Sequence, residues 1–209
     1  MDEKHADTNS SETSLVARAI ASDEASQREI YERYHPAAGR LAYLLLRDGM
    51  DAEEAVQDAF VYALQNLERY DPGRGSLWTW LRVILVSRCR NKRRRKRLPR
   101  VSLEALNGVG EVPHDPEPSS DPASAVERWN TRREVYAALE RVSEGARDAL
   151  VLRYYEGLSY AEIAEILGCS NDAARSRVAH GKVQLRRLLT GQQEGAVTDV
   201  GASRTAEAG

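Results

Sequence analysis

The chain has 209 residues, of which 42% are hydrophobic and 30% are charged, and its formal net charge at pH 7 is −2. That length suits two small domains or one medium domain, and the hydrophobic fraction is sufficient for packed cores. No apolar run reaches the ~18–20 residues of a membrane span, and the amino terminus has no apolar signal region, so we expect a cytoplasmic protein without a membrane insertion. The histidines and cysteines lack metal-ligand spacing, so we expect no metal, and we expect no cofactor.

The first part of the chain changes from polar to regularly apolar. Residues 1–13 carry four acids against a single lysine, which predicts a disordered amino-terminal extension. Residues 14–97 repeat apolar side chains at helical spacing, and they show no sustained alternation of apolar and polar residues. This pattern predicts an all-α domain.

Within this domain, a capping box formed by Asp51 and Glu54 predicts the start of a helix. Its predicted buried stripe consists of Val56, Phe60, Ala63, Leu64 and Leu67. Its outer face consists of Glu53, Glu54, Gln57, Asp58 and Val61. Carboxylates have the wrong charge for DNA, so this face favours a basic protein partner, and a solvated surface without a partner is the alternative.

The next segment places aromatic side chains beside a strong positive charge. A glycine-containing loop, YDPGRGS, leads into a helix that carries Trp78 and Trp80. From Arg88 to Arg100 there are nine basic residues and no acid. Bases of an unpaired strand stack on aromatic rings while cations follow the phosphates. The segment therefore indicates binding of unpaired nucleic acid, and packing of the tryptophans into the core is the alternative.

Residues 98–131 differ in composition from the helical segments on both sides. They contain five prolines, and between Ser102 and Glu127 there are six acids and no lysine or arginine. Proline and like charge oppose regular packing, so we predict a flexible acidic linker.

A second all-α domain is predicted over residues 132–189, where two amphipathic helices precede a helix-turn-helix. Ser159 and Glu162 form a capping box at the start of a short helix. Gly168 is expected to end that helix, because glycine accepts the left-handed conformation of a tight turn. This arrangement of a short helix, a glycine turn and a further helix is typical of DNA-binding modules.

The last helix of this domain, capped by Ser170 or Asn171, is apolar on one side and basic on the others. Its apolar stripe consists of Ala174, Val178, Leu185 and Leu188, with Gly181 between them. Its other faces carry Arg175, Arg177, His180, Lys182, Arg186 and Arg187. Such a helix suits the DNA major groove, where arginine pairs with guanine or grips phosphate. Residues 190–209 are small and polar, which predicts a disordered tail.

Two stretches together resemble the extracytoplasmic-function (ECF) branch of the sigma-70 family. DAEEAVQDAFVYALQNLERYDPGRGSLWTWL is similar to region 2, with an A-E-[DE]-x-x-Q core followed by a W-L pair, and GLSYAEIAEILGCSNDAARSRVAHGKVQLRRLL is similar to region 4. They occur in the family's order with a linker of the expected kind. The resemblance implies a non-enzymatic RNA polymerase sigma factor that recognises −10 and −35 promoter elements, with an anti-sigma factor as a further partner.

The resemblance also implies three sets of binding residues and no catalytic, metal or cofactor site. The clamp helices of the largest subunit of core RNA polymerase would meet Asp51, Glu54, Gln57, Asp58 and Val61. The −10 DNA would meet Arg74, Ser76, Trp78, Trp80, Arg82, Arg88, Arg90 and Lys92. The −35 DNA would meet Ser170, Asn171, Asp172, Arg175, Ser176, Arg177, His180 and Lys182.

Two other function classes explain parts of the sequence. A stand-alone helix-turn-helix transcriptional regulator accounts for the second domain, but it gives no reason for the acidic helix or the tryptophan-bearing basic segment. A metal-dependent phosphodiesterase could draw its ligands from Asp48, Asp51, Glu54 and Asp58. These acids fall on a helix surface, with no histidine or glycine-rich phosphate loop nearby.

Overall fold

The computed structural model describes residues 3–97 and 133–202, and the regular secondary structure within these ranges is helical throughout. The chain separates into two compact units. The first contains α1 (Glu3–Ile20), α2 (Glu24–Leu46), α3 (Gly49–Gln65) and α4 (Leu77–Arg97), with short 3-10 turns at Leu67–Arg69 and Pro72–Arg74. The second contains α5 (residues 133–141), α6 (Glu144–Tyr154), α7 (Tyr160–Leu167) and α8 (Asn171–Ala202). The predicted all-α architecture of two helical domains is confirmed, and the predicted linker lies outside the described residues.

The core of the first unit lies where α3 packs against α2 and α4. Its fully buried side chains include Leu41 and Leu45 from α2, Val56 from α3, and Leu81 and Leu85 from α4. Val56, Phe60 and Ala63 of the predicted stripe are buried on α3. Leu67, which lies just beyond α3, and the partly buried Leu64 instead pack in the apolar cluster that includes residues of α1. Helical spacing of apolar residues therefore identified the packing face of α3.

The amino-terminal end of α3 differs from its prediction. The helix begins at Gly49, and its cap is Asp48, whose carboxylate accepts the Asp51 backbone N–H at 2.9 Å. The predicted cap at Asp51 is wrong, because Asp48 already satisfies a free N–H group of the first turn. Asp51 instead lies inside the first turn and is only 9% exposed.

The structure has a helix where a disordered amino-terminal extension was predicted. α1 begins at Glu3, and the buried side chains of Leu15, Val16 and Ala19 join a cluster with Ile30 and other apolar residues of the first unit. Glu12, within the predicted extension, is also buried. These tertiary contacts hold a segment whose polar composition alone did not predict order.

The second unit is built on α8, which packs against α6 and α7. The capping box of Ser159 and Glu162 is present, and Gly168 ends α7 at φ 61°, as predicted. Ser170 caps α8 by accepting the Ala173 backbone N–H at 3.1 Å. The helix continues to Ala202 rather than ending near residue 189, because no proline interrupts it and extending a formed helix costs less than starting one.

Candidate nucleic-acid interface

The outer face of α3 carries acidic and amide side chains on consecutive turns. Its members are all exposed: Glu53, Glu54, Gln57, Asp58 and Val61. Val61 is 57% exposed and places a branched apolar side chain among these polar groups. Gln57 Nε2 donates to Glu53 Oε1 at 3.1 Å. We refer to these residues as the α3 outer face.

Asp51, which the resemblance placed among the polymerase contacts, does not lie on that face. Its carboxylate pairs with Lys92 Nζ of α4 at 3.7 Å and with Lys96 Nζ. Lys96 also lies 3.4 Å from Asp48 Oδ2. The structure thus places the Asp51 carboxylate inward, where it links α3 to α4.

The loop of residues 71–76, which contains the second 3-10 turn and leads into α4, is held by its own polar groups. The Asp71 carboxylate accepts the Gly73 N–H at 2.9 Å, and Ser76 Oγ accepts the Thr79 N–H at 3.3 Å. Gly75 has a φ of 140°, a conformation that residues with a side chain rarely adopt. Arg74 and Ser76 are exposed on this loop, so the structure places both at the surface. We call residues 71–76 the α4 entry loop.

The two tryptophans at the start of α4 are both half-buried, each beside a tyrosine. The Trp78 ring lies nearly parallel to Tyr34, at 12° and 6.2 Å between centroids. Trp80 is tilted by 48° to Tyr70 at 6.0 Å and packs against the apolar cluster that includes Tyr70. Each ring thus combines a packing contact with partial exposure, which is the arrangement of an aromatic platform.

Glu12 of α1 connects these features and was missed by the sequence reasoning. It is only 7% exposed. Its Oε2 accepts the Tyr34 hydroxyl at 2.5 Å, and its Oε1 accepts the Leu77 backbone N–H at 2.7 Å. The Tyr70 hydroxyl lies 3.0 Å from both Glu12 Oε1 and the Gly75 carbonyl oxygen. Burial, and then the hydrogen bond to Glu12, raise the pKa of both phenols, so both remain protonated donors at neutral pH.

The basic residues of α4 do not all reach the surface. Arg82 is only 6% exposed, because it shares a buried stripe with Leu85, Val86 and Cys89. The Lys92 side chain is 16% exposed and pairs with Asp51 and Glu54 of α3. Arg82 and Lys92 belong to the predicted −10 set, but core packing and the acids of α3 turn both side chains inward here.

Two other predicted cations of α4 retain access to solvent. Arg90 is exposed, and Arg88 is partly exposed, with its guanidinium 4.6 Å from the centroid of the Tyr62 ring. The carboxyl end of α4 adds further exposed cations that the predicted set omitted: Arg94, Arg95, Lys96 and Arg97. The exposed positive charge of α4 is therefore concentrated in the second half of the helix, from Arg88 to Arg97.

The start of α8 is exposed apart from its packing stripe. The exposed members of the predicted set are Ser170, Asn171, Asp172, Arg175, Ser176, His180 and Lys182. Arg175 Nε donates to Asn171 Oδ1 at 3.0 Å, and its guanidinium lies 4.8 Å from the centroid of the Tyr160 ring. Arg153 approaches the same ring at 4.8 Å. Tyr160 thus orients Arg175 by a cation–π contact, a role that the sequence did not reveal.

Arg177 and His180 differ from Arg175 in their surroundings. Arg177 is partly buried beside Gly145 of α6. His180 lies 2.9 Å from Gln184, whose Oε1 accepts the Ser143 N–H at 3.0 Å and so links α8 to the start of α6. Arg175 is therefore the arginine near the start of α8 that both projects outward and has a fixed orientation.

Comparisons with known proteins agree on one family. The family model described as Sigma-70 region 2 matches residues 30–98, and that described as Sigma-70, region 4 matches residues 132–185. The chain is 33% identical over 182 residues to the ECF RNA polymerase sigma factor SigM of Mycobacterium tuberculosis, covering 86% of this chain and 85% of the relative. It is 28% identical over 175 residues to the ECF RNA polymerase sigma factor SigK of Mycolicibacterium vanbaalenii, covering 84% and 87%.

Solved structures share the fold. The sigma factor RpoE of Bartonella quintana, solved with the anti-sigma factor NepR, gives a TM-score of 0.56 at 22% identity over 78% of this chain and 96% of that one. CnrH, solved with the cytosolic domain of CnrY, gives a TM-score of 0.55 at 22% identity, covering 86% of this chain and 97% of CnrH. Among the described residues, we find no helix with the length and apolarity to cross a membrane. The chain belongs to the extracytoplasmic-function sigma factors of the sigma-70 family, and its function is that of an RNA polymerase sigma factor rather than an enzyme.

Proposed function

We propose that this sigma factor binds core RNA polymerase through the α3 outer face, binds the unpaired −10 strand at the α4 entry loop and α4, and reads the −35 element with the start of α8. The observation that carries the proposal is the separation of charge within the first unit, where exposed acids lie on α3 and exposed cations lie on α4. One surface suits a basic protein and the other suits nucleic acid. Because both targets lie in the cytoplasm, we assign the protein to that compartment.

The α3 outer face has the composition of a protein-binding surface. Val61 supplies an exposed apolar centre, and Glu54, Gln57 and Asp58 surround it with polar groups. Protein interfaces commonly combine an apolar core with a polar rim, and the charges of the rim guide orientation and association rate. These acids would repel phosphates, so we assign this face to the clamp helices of the largest polymerase subunit.

The α4 entry loop and the rings beside it support binding of an unpaired strand. Trp78 and Trp80 offer partly exposed rings on which bases can stack, and Arg74, Ser76 and Arg90 offer exposed polar groups for phosphates or base edges. Duplex DNA cannot present its bases to such rings until it opens. We therefore assign the −10 contacts to this surface without Arg82 and Lys92.

The start of α8 supports recognition of a duplex. The side chains at the start of α8 are mostly exposed and include several cations, and Arg175 is oriented by Asn171 and Tyr160. An arginine fixed in this way can pair with guanine in the major groove at a smaller entropic cost. We assign the principal −35 base contact to Arg175 and a supporting role to Arg177.

The stand-alone regulator is not favoured, because the first unit matches sigma-70 region 2 and has no role in such a regulator. The solved neighbours are each complexes with a second protein, in one case named an anti-sigma factor. We therefore include an inhibitory protein of that kind among the proposed partners, and co-purification from the source organism tests it.

Run-off transcription with cognate core polymerase, followed by mapping of transcription start sites across the genome, tests the proposed function. Initiation is expected at a limited set of sites that share two upstream elements, and only when both core and this protein are present. Absence of directed initiation, together with specific duplex binding by the protein alone, would support a stand-alone regulator instead.

A further inference from the structure

Glu12 lies outside the segment that matches sigma-70 region 2, which begins at residue 30, yet it is hydrogen-bonded to the proposed −10 surface. A buried carboxylate is costly unless its oxygens are satisfied. Glu12 is satisfied by donors that lie 22, 58 and 65 residues further along the chain. Such a long-range set of bonds requires a fixed position for α1 against α4.

The hydrogen bond between Glu12 and the Leu77 N–H caps α4. The Leu77 N–H belongs to the first turn of the helix, where backbone N–H groups have no partner within the helix. Glu12 Oε1 accepts it at 2.7 Å, while Ser76 Oγ accepts the Thr79 N–H. A negative charge at this end also interacts favourably with the helix dipole. The carboxylate of α1 therefore fixes the residue at which α4 begins.

The other two bonds fix the tyrosines that support the tryptophans. Tyr34, bonded to Oε2, lies under the Trp78 ring, and Tyr70, next to Oε1, packs against Trp80. The Tyr70 hydroxyl also reaches the carbonyl oxygen of Gly75, the loop residue with the positive φ. A single carboxylate thus connects the end of the entry loop with both aromatic platforms.

We propose that Glu12 is the positioning residue for −10 recognition, holding the α4 entry loop and both tryptophans in the arrangement that accepts unpaired bases. The inference rests on the proposed function of that surface. Glu12 is buried and does not touch DNA itself, so it acts through Tyr34, Tyr70 and the start of α4. Through Glu12, α1 supports the residues that bind the promoter without contacting DNA itself.

The expected gain is preorganisation. A loop that is already ordered does not lose its conformational freedom when DNA binds, and that saving appears as affinity. Without the carboxylate, the Tyr34 hydroxyl and the Leu77 N–H would each lose this acceptor in a partly buried place, and the Tyr70 hydroxyl would keep only the Gly75 carbonyl oxygen. The loop and rings would then sample other positions, although the α3 outer face and the second unit would be unchanged.

The test uses the full chain in complex with cognate core polymerase and compares Glu12→Ala with Glu12→Gln. Glutamine keeps the shape of the side chain and an acceptor for the Leu77 N–H, so it serves as the conservative rescue. Glu29→Ala is the control, because Glu29 is an exposed acid of α2 that forms an ion pair with Arg33. Three affinities are measured: for core polymerase, for duplex carrying only the −35 element, and for a promoter from the start-site map with its −10 region held open by mismatches.

For Glu12→Ala we expect binding to the mismatched promoter to weaken about tenfold or more, while the other two affinities change by less than about twofold. Glu12→Gln is expected to recover most of the loss. Unchanged binding of the mismatched promoter by Glu12→Ala, or an equal loss in all three assays, would overturn the inference. If the wild-type complex shows no preference for the mismatched over the fully paired promoter, the proposed function itself fails, and the inference fails with it.

A second variant keeps the inference testable if Glu12→Ala does not fold. The double substitution Tyr34→Phe and Tyr70→Phe keeps both rings and the carboxylate, but removes two of its donors. A loss confined to the mismatched promoter would support the positioning role. Full retention of that binding would overturn it.

Discussion

Gly181 of α8 lies directly against Leu150 of α6. A Cβ atom at Gly181 would be 2.8 Å from both Cγ and Cδ1 of Leu150, and 3.2 Å from the carbonyl oxygen of Ala146. The two helices can therefore approach this closely only because position 181 has no side chain. α8 therefore packs closely against α6 at Gly181, while Arg175, on an earlier turn of α8, remains exposed.

Gly181→Ala should destabilise the second unit. The steric cost of an added methyl group in a packed contact, about 1–3 kcal/mol, exceeds or equals the gain of about 1 kcal/mol in helix propensity. Gly191→Ala is the control, since no atom lies within 4 Å of a Cβ there, and it should be neutral or stabilising. Hydrogen exchange of α6 and α8 amides in the full chain measures both. Equal protection in the two variants would mean that Leu150 moves aside without cost.

Asp58→Arg should weaken binding to core polymerase by about tenfold or more while leaving the helical content unchanged, because it reverses charge at the proposed interface. Affinity is measured by fluorescence anisotropy with labelled core, and folding by circular dichroism. Glu32→Arg is the matched control, an exposed acid on α2 that is not a member of the α3 outer face. If Asp58→Arg binds core polymerase as tightly as wild type, the α3 outer face is not the core-binding surface.

Arg175→Ala should cost about 1–3 kcal/mol of −35 binding by the complex with core, and it should relax the preference at one base pair. Tyr160→Phe keeps the ring beneath the guanidinium and should preserve binding, whereas Tyr160→Ala should reproduce part of the loss. Binding to duplexes with single base-pair changes measures both effects. A loss that is equal on every sequence would instead identify Arg175 as a phosphate contact.

The ion pairs between α3 and α4 predict how stability depends on pH. The hydrogen bond to Asp51 raises the pKa of Lys96 above its ordinary 10.5. The stabilisation of the fold by this lysine is therefore complete below pH 10.5, and it disappears as pH rises through the raised pKa of the folded state. Burial works to raise the pKa of Asp48, but the Asp51 N–H and the Lys96 charge outweigh it, so the pKa falls below 3.8. The stabilisation of the fold by the Asp48 carboxylate is complete above pH 3.8, and it disappears as pH falls through the lowered pKa of the folded state.

Lys96→Met should therefore lower the free energy of unfolding by up to about 1 kcal/mol at neutral pH, a small effect because the lysine is half-exposed. The difference from wild type should be constant from about pH 5 to 9 and shrink on both sides of that range. Urea titrations across pH measure it, with Arg95→Met as the control for removing an exposed cation of α4. The same difference at pH 2 would contradict the assigned pairing.

The fold class and the helix-turn-helix could be predicted because their signals are local. Ser159, Glu162 and Gly168 act on backbone groups within a few residues, so the sequence alone identifies both ends of α7. The buried and exposed faces of α3 followed from helical spacing in the same way. These features depend on neighbours along the chain, which a single sequence displays.

The errors and the omissions concern partners that are distant along the chain. The inward position of Asp51 was not predicted, because its partners Lys92 and Lys96 lie on the next α-helix, 41 and 45 residues further along the chain. Glu12 carries no local signal, since its hydrogen bonds reach to residue 77. Composition near a residue predicts its average exposure, but only tertiary packing decides which charged groups turn inward.

The central claim is that promoter recognition is shared between two units that core polymerase brings together. The second unit alone offers a small basic surface, which buries too little area for tight specific binding. Opening the −10 region costs several kcal/mol of pairing and stacking, which the α4 entry loop cannot offset alone. Binding of both units to one polymerase would convert two weak contacts into a strong one through effective concentration.

A permanganate footprint of unpaired thymines at a mapped promoter, paired with a gel shift and performed with and without core polymerase, tests this claim most directly. We predict weak, salt-sensitive DNA binding by the protein alone. We predict specific binding and reactive thymines in the −10 region only when core is present. Specific nanomolar binding to the closed promoter by the protein alone, unchanged when core is added, would contradict the account and favour a stand-alone regulator.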